Sequence, residues 1–257
     1  AKNEVAEHLA RKLYRWFVYY NIDDNAEQNV IQPLAQIFRD NNYEIKPVLE
    51  TLLKSEHFFE AVNSGCFIKT PVDVVVGTLR SFNLSIPAST PWDELVMEYI
   101  LSQMMMTQQM LPGDPPNVAG WQAFRQSPQY YRMWINGDTA RNRNFYTDVL
   151  TGFYFETDND QLKIDHIAFV SQFDNPQDPV ALIEDEVKLL LPQPLSASKK
   201  FLLKSILLSG LPNDGYWSAA WFAYQADPTD PLAFQAVNTR LTILHNYILK
   251  LPEYQLA

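Results

Sequence analysis

Thr70-Pro71-Val72-Asp73-Val74-Val75-Val76-Gly77-Thr78-Leu79-Arg80 admits two readings, and the choice between them sets the fold. Its run of valines favours a strand, because β-branched side chains suit a pleated surface. Its beginning favours a helix. A threonine oxygen accepts hydrogen bonds from the free N–H groups of a first helical turn, and proline fits the next position, where an N–H would have no partner. Val72, Val75, Val76, Leu79 and Phe82 then recur at helical steps, which decides for the helix.

The same start signal recurs along the chain as Thr90-Pro91, Ser127-Pro128, Asp178-Pro179 and Asp230-Pro231. Asp93 and Glu94 follow Pro91 in a first turn, where acids complement the helix dipole. Apolar stripes at steps of three and four agree with helices. They are Val5, Leu9, Leu13, Trp16, Phe17 and Tyr20; Val30, Leu34, Ile37 and Phe38; and Val48, Leu49, Leu52 and Leu53. Later ones are Leu182, Ile183, Val187, Leu190 and Leu191, and Phe234, Val237, Leu241, Leu244, Ile248 and Leu251. The expectation is an all-α protein, a compact array of roughly ten helices. Residues 1–257 are read as one helical domain with a softer joint near 156–160. Loops are expected at 83–90, 173–179, 211–215 and 225–230.

One interruption stands out. Pro112-Gly113-Asp114-Pro115-Pro116-Asn117-Val118-Ala119-Gly120-Trp121 excludes both helix and strand, so it forms an irregular, ordered loop ending on a large aromatic.

Composition narrows the function. A net charge of −10 argues against nucleic acid and against an anionic membrane surface. The single cysteine, Cys66, excludes an intramolecular disulfide and a cysteine-rich zinc site. No apolar run reaches the roughly 20 residues that span a bilayer. The chain begins Ala1-Lys2-Asn3-Glu4, without an initiator methionine or signal peptide, and is read as a fragment of a longer protein.

Several segments carry a family resemblance. Phe67-Ile68-Lys69-Thr70-Pro71 through Arg80, the loop Pro115-Pro116-Asn117-Val118-Ala119-Gly120-Trp121, Arg11 through Val18, Arg143-Asn144-Phe145 and Leu251-Pro252-Glu253-Tyr254-Gln255 are together similar to the bacterial domain of unknown function 1800 family. The resemblance covers nearly the whole chain and looks like the C-terminal half of a typical member. Met104-Met105-Met106-Thr107-Gln108-Gln109-Met110 departs from it where relatives often carry Gly-Gln. The resemblance implies a mostly helical protein, frequently exported by bacteria, and hence a periplasmic or otherwise exported location. It assigns no activity.

Signatures of catalysis are missing: there is no phosphate loop, no nucleophile elbow and no histidine pair at helical spacing. His8, His57, His166 and His245 stand far apart, and hydrogen-bonded or surface roles are expected for them. Asp158-Asn159-Asp160 with Asp165 offers oxygen ligands but lacks the glycine and terminal glutamate of a calcium loop, so it reads as a solvated turn and helix cap. Glu184-Asp185-Glu186 reads as a wet helix face. No catalytic residue, metal or cofactor is assigned.

The candidate ligand-binding residues are Asn117, Trp121, Arg143, Trp217 and Trp221. Trp217, Trp221 and Tyr224 share one helical face, which serves either as core or as a stacking surface. Tyr130, Tyr131 and Trp134, beside the loop, pose the same choice. For the loop, one reading has Trp121 plugging the core while Asn117 bonds backbone. The other has both lining a groove, with Arg141 or Arg143 supplying charge for an anionic ligand.

The expectation for function is a non-catalytic binding or scaffold module of an exported bacterial protein, recognising a protein or a polysaccharide. The alternative is part of a hydrolase-like enzyme whose centre needs an N-terminal half. An exposed aromatic-rimmed surface favours the first; a pocket gathering Asn117, an arginine and a histidine favours the second.

Overall fold

In the computed structural model the chain divides into two compact units, Ala1–Phe67 and Ile68–Ala257, and residues 3–257 are described. The boundary falls within a stretch that the sequence reading had not marked as a seam.

The first unit is built from α1 (Asn3–Phe17), α2 (Gln32–Asp40) and α3 (Ile45–Leu53), with a turn of π-helix, Glu27–Ile31, leading into α2. α1 buries Ala6, Ala10 and Tyr14, while Val5, Trp16 and Phe17 are exposed and Leu9 and Leu13 are half-buried. The expected stripe is thus rotated by about one residue. Alanines carry little hydrophobic signal, yet they fill this face because α1 and α2 pack closely there. Ile31, Leu34, Phe38, Val48 and Leu52 complete the core. Arg11 grips the Glu27 carboxylate through Nε at 2.8 Å and Nη2 at 2.5 Å, a bidentate pair at the base of the π turn.

The second unit is assembled around one long helix. In chain order it contains α4 (Pro71–Ser81), α5 (Pro91–Thr107), α6 (Gly137–Gly152), the antiparallel hairpin β1 (Phe155–Glu156) and β2 (Gln161–Leu162), and α7 (His166–Val170). It continues with α8 (Pro179–Leu190), α9 (Ala197–Leu207), α10 (Gly215–Ala226) and α11 (Pro231–Leu249). α11 packs against α6, α7, α9 and α10, burying Val237, Leu241, Leu244, His245 and Ile248.

Four of the Thr/Asp-Pro signals are helix starts. Thr70 accepts from Asp73 N at 3.2 Å, Thr90 from Asp93 N at 3.1 Å, Asp178 from Val180 N at 2.8 Å and Asp230 from Leu232 N at 3.0 Å. Each such cap stabilises by about 1 kcal/mol. Ser127-Pro128 starts no helix; its peptide bond is cis, and a turn leads to the short 3₁₀ segment Tyr130–Trp134. The joint expected near 156–160 is the tight turn of the hairpin.

Candidate functional site

The proline-rich loop is ordered by its own backbone. Gly113 and Gly120 adopt φ of +83°, a region open to glycine, and Asn117 Oδ1 accepts from Ala119 N at 2.9 Å. Asn117 and most of the loop are exposed. Trp121 is half-buried at the start of a short helical turn, Gln122–Arg125. The aromatic plug of this region is instead Trp134, buried and edge-on to Phe124 with ring centroids 5.4 Å apart.

Trp217 and Trp221 lie inside the core, and Trp217 donates from Nε1 to Pro176 O at 2.8 Å. Their rings offer no face to a ligand, so the stacking-surface reading of α10 gives way to the core reading. Arg143 is also internal. Its Nη2 donates to Lys69 O at 2.8 Å and Trp134 O at 3.1 Å, and its Nη1 to Gln255 Oε1 at 3.1 Å. Burial lowers its guanidinium to about 10, still cationic at neutral pH. Arg143 therefore supplies no free charge to the loop. It ties together three of the segments that carry the family resemblance.

Those ties are extended nearby. Tyr146 donates to Val75 O at 2.8 Å, Thr78 and Tyr254 share a hydrogen bond of 2.8 Å, and Lys69 N donates to Gln255 O at 2.8 Å. The Lys69 ammonium lies 3.8 Å from the centroid of the Tyr254 ring, and burial lowers it to about 8.

The core holds one constellation that the sequence reading missed. Glu186, expected on a wet face, is fully buried, as are His245 and His166. Glu186 Oε1 lies 2.9 Å from His245 Nε2, the two Nδ1 atoms of His245 and His166 lie 2.7 Å apart, and His166 Nε2 lies 2.9 Å from Thr151 O. The geometry fixes the protons. Thr151 O only accepts, so His166 Nε2 carries a hydrogen. A neutral His166 then accepts at Nδ1, and His245 Nδ1 must donate. His245 Nε2 and Glu186 Oε1 consequently share one proton; without it two lone pairs would face each other. Phe82 and Phe169 pack edge-on to the His245 ring. Burial, followed by the neighbouring His245, lowers His166 to about 4. This chain is closed off from solvent and is an internal polar strut. The signal for it was helical phase, since Glu186 lies one step from Val187 and Ile183 on the core side of α8.

Exposed apolar groups gather elsewhere. On α5, Trp92, Leu95, Val96 and Tyr99 fall along one face at helical steps, and Met106 follows on it after Ser102 and Gln103. Trp92 is 64% and Tyr99 63% exposed, and Leu95 and Met106 are exposed beside them. The opposite face, Met97, Leu101 and Met105, is core, so α5 is apolar on both sides. At its N-terminal end, Trp92 and Val96 line an open depression of about 400 Å³ with Glu156, Thr157 and Asp158 of the hairpin.

Two clamps hold the hairpin there. Asn159 Nδ2 donates to Asp93 at 2.9 Å, and Asp160 accepts from Ser89 N and Oγ at 2.8 and 2.6 Å. Hydrogen bonds from Thr90, Asn159 and Thr157 lower the Asp93 carboxyl to about 2. Asp165, the other candidate calcium ligand, caps α7 through Ala168 N at 2.9 Å. Among the described residues no group of three or more His, Cys, Asp or Glu side chains is placed to hold a metal, and no helix is long and apolar enough to cross a membrane.

The family described as "Protein of unknown function (DUF1800)" matches residues 1–256. No curated protein and no solved structure matches the chain.

Proposed function

The chain belongs to the DUF1800 family, and we propose that it is a non-catalytic helical binding module that recognises a protein or polysaccharide through the outer face of α5. One observation carries this reading: Trp92 and Tyr99, nearly two-thirds exposed, stand two turns apart on a rigid helix beside an open depression. Exposed aromatic side chains grouped with other apolar ones are costly in water and mark interaction surfaces. The apolar run from Trp92 to Tyr99 is about 10 Å long at 1.5 Å per residue, and Met106 follows beyond Ser102 and Gln103 on the same face.

The side chains with chemical potential support the same reading by being occupied. Arg143 is spent on three internal acceptors, and His166 and His245 are sealed in the core, away from the exposed Asn117. The exported location implied by the family resemblance is part of the proposal.

The test is retention of the purified protein on arrayed glycans and on arrayed peptides, compared with the Trp92→Ala/Tyr99→Ala variant. Retention abolished by the double substitution is expected. Retention unchanged by it, or turnover of glycoside or ester substrates by the purified protein, defeats the proposal.

A further inference from the structure

The depression at the Trp92 end of the α5 strip is lined by charge of one sign. Between Arg80 and Arg125 there is no lysine, arginine or histidine, and between Arg143 and Lys163 there is none either. These two stretches contain α5 and the hairpin, the elements that form the depression. The exposed carboxylates in them are Glu156 and Asp158 of the hairpin, Glu98 on the flank of α5, and, off the strip, Glu94 and Asp114. Among the described residues none of these carboxylates forms a salt bridge. An apolar strip with two carboxylates at its Trp92 end repels an acidic partner and attracts a cationic one whose own surface is apolar along a line.

Resting on the binding reading above, we infer that the partner is a basic amphipathic helix, lysine- or arginine-bearing on its flanks, that lays its apolar stripe along Trp92, Leu95, Tyr99 and Met106. The composition of the strip fits this class of occupant. Tryptophan, tyrosine and methionine are enriched where proteins meet, and a helix offers anchors at the spacing that α5 presents. Leu95 and Met106 suit aliphatic anchors, whereas a sugar ring stacks on the flat aromatic faces and gains little from a flexible thioether. Glu156 and Asp158, at the end of the depression beside Trp92, are placed to receive a basic side chain reaching past the strip.

The experiment is a fluorescence-anisotropy titration of the full chain with three labelled probes. They are an amphipathic helical peptide of leucine and lysine, a leucine–glutamate peptide of the same pattern, and a neutral glucan oligosaccharide. The lysine peptide is expected to bind and the glutamate peptide not, with affinity falling as salt rises. Trp92→Ala and Tyr99→Ala should each weaken binding about tenfold, the effect of losing a central aromatic anchor. Glu156→Gln with Asp158→Asn should weaken it about threefold and flatten the salt dependence. All four positions are exposed, so an unchanged urea midpoint confirms that the variants stay folded.

Equal binding of both peptides, or lysine-peptide binding indifferent to Trp92→Ala, overturns the inference. Glucan binding that Trp92→Ala abolishes, with no peptide binding, overturns the partner class while leaving the binding reading intact. Absence of every probe overturns the inference and leaves the arrays of the preceding test to decide the module's role.

Discussion

Acid should unfold the second unit through His166 before it does so through any carboxylate. A buried imidazole lowered to about 4 binds its proton less readily in the fold than in the unfolded chain, where the ordinary value is 6.5. The folded state therefore carries fewer protons between these limits, and stability must fall as pH falls. The contribution is fully present above pH 6.5, declines through the interval, and is gone below about 4. A shift of that size amounts to about 3 kcal/mol, with a slope approaching 1.4 kcal/mol per pH unit in the middle of the window.

The physical cause is visible in what surrounds the ring. His245 from α11 meets Nδ1, Thr151 O from α6 occupies Nε2, Asp165 lies next in sequence, and Glu186 from α8 is one link further along the chain. A second proton on His166 would set two N–H groups against each other at 2.7 Å. Urea unfolding at steps from pH 7 to 4, followed by tryptophan fluorescence, measures the slope. His166→Gln lowers stability at pH 7 and should remove the excess slope between pH 6.5 and 4. The Asp93 carboxyl, lowered to about 2 from 3.8, acts only below this window. A wild-type midpoint that is flat or rising on acidification, or a slope that survives in His166→Gln, would refute the proton assignment.

Two further substitutions test the scaffold. Arg143→Ala leaves Lys69 O and Gln255 Oε1 without a donor, while Thr139 Oγ1 still donates to Trp134 O, and should cost about 2–5 kcal/mol in urea unfolding. Arg143→Lys, which cannot reach all three, should recover only part. Thr70→Ala removes both bonds of the Thr70 hydroxyl with Asp73, keeps the one from the Thr70 backbone N–H, and should lower the unfolding free energy by about 1 kcal/mol without changing binding at α5.

Much of the architecture was legible because it is written locally. A capping oxygen followed by proline acts within one helical turn, so Thr70, Thr90, Asp178 and Asp230 announce their helices without tertiary help. The α1 stripe was misphased for the opposite reason. Ala6 and Ala10 are buried by the approach of another helix, which composition does not reveal. The hairpin escaped notice because paired strands of two residues are too short to show alternation. Within the site, aromatic residues in a row did not announce which were exposed: Trp217 and Trp221 share the i, i+4 spacing of surface anchors but fall on the side facing α11. Trp92 and Tyr99, with similar spacing, fall on the outer side because Met97, Leu101 and Met105 occupy the inner one.

Glu186 shows how a polar residue can be misread even when its phase is correct. It shares the face of Leu182, Ile183, Val187 and Leu190, and a charged residue on such a face is usually displaced to its edge. Here it is retained because a histidine on α11, separated from it by 59 positions, arrives to share its proton. The pairing satisfies Oε1 and leaves Oε2 buried without a hydrogen-bond partner, so the strut is held at some cost in stability. That cost sits in α8 and α11, on elements other than α5. A polar chain joining α6, α7, α8 and α11 defines their mutual register more narrowly than interchangeable apolar contacts do. The division of labour that follows is physical. Arg143, His166, Glu186 and His245 are committed to registering the scaffold, and the outer face of α5, the proposed recognition surface, presents Trp92, Leu95 and Tyr99 instead.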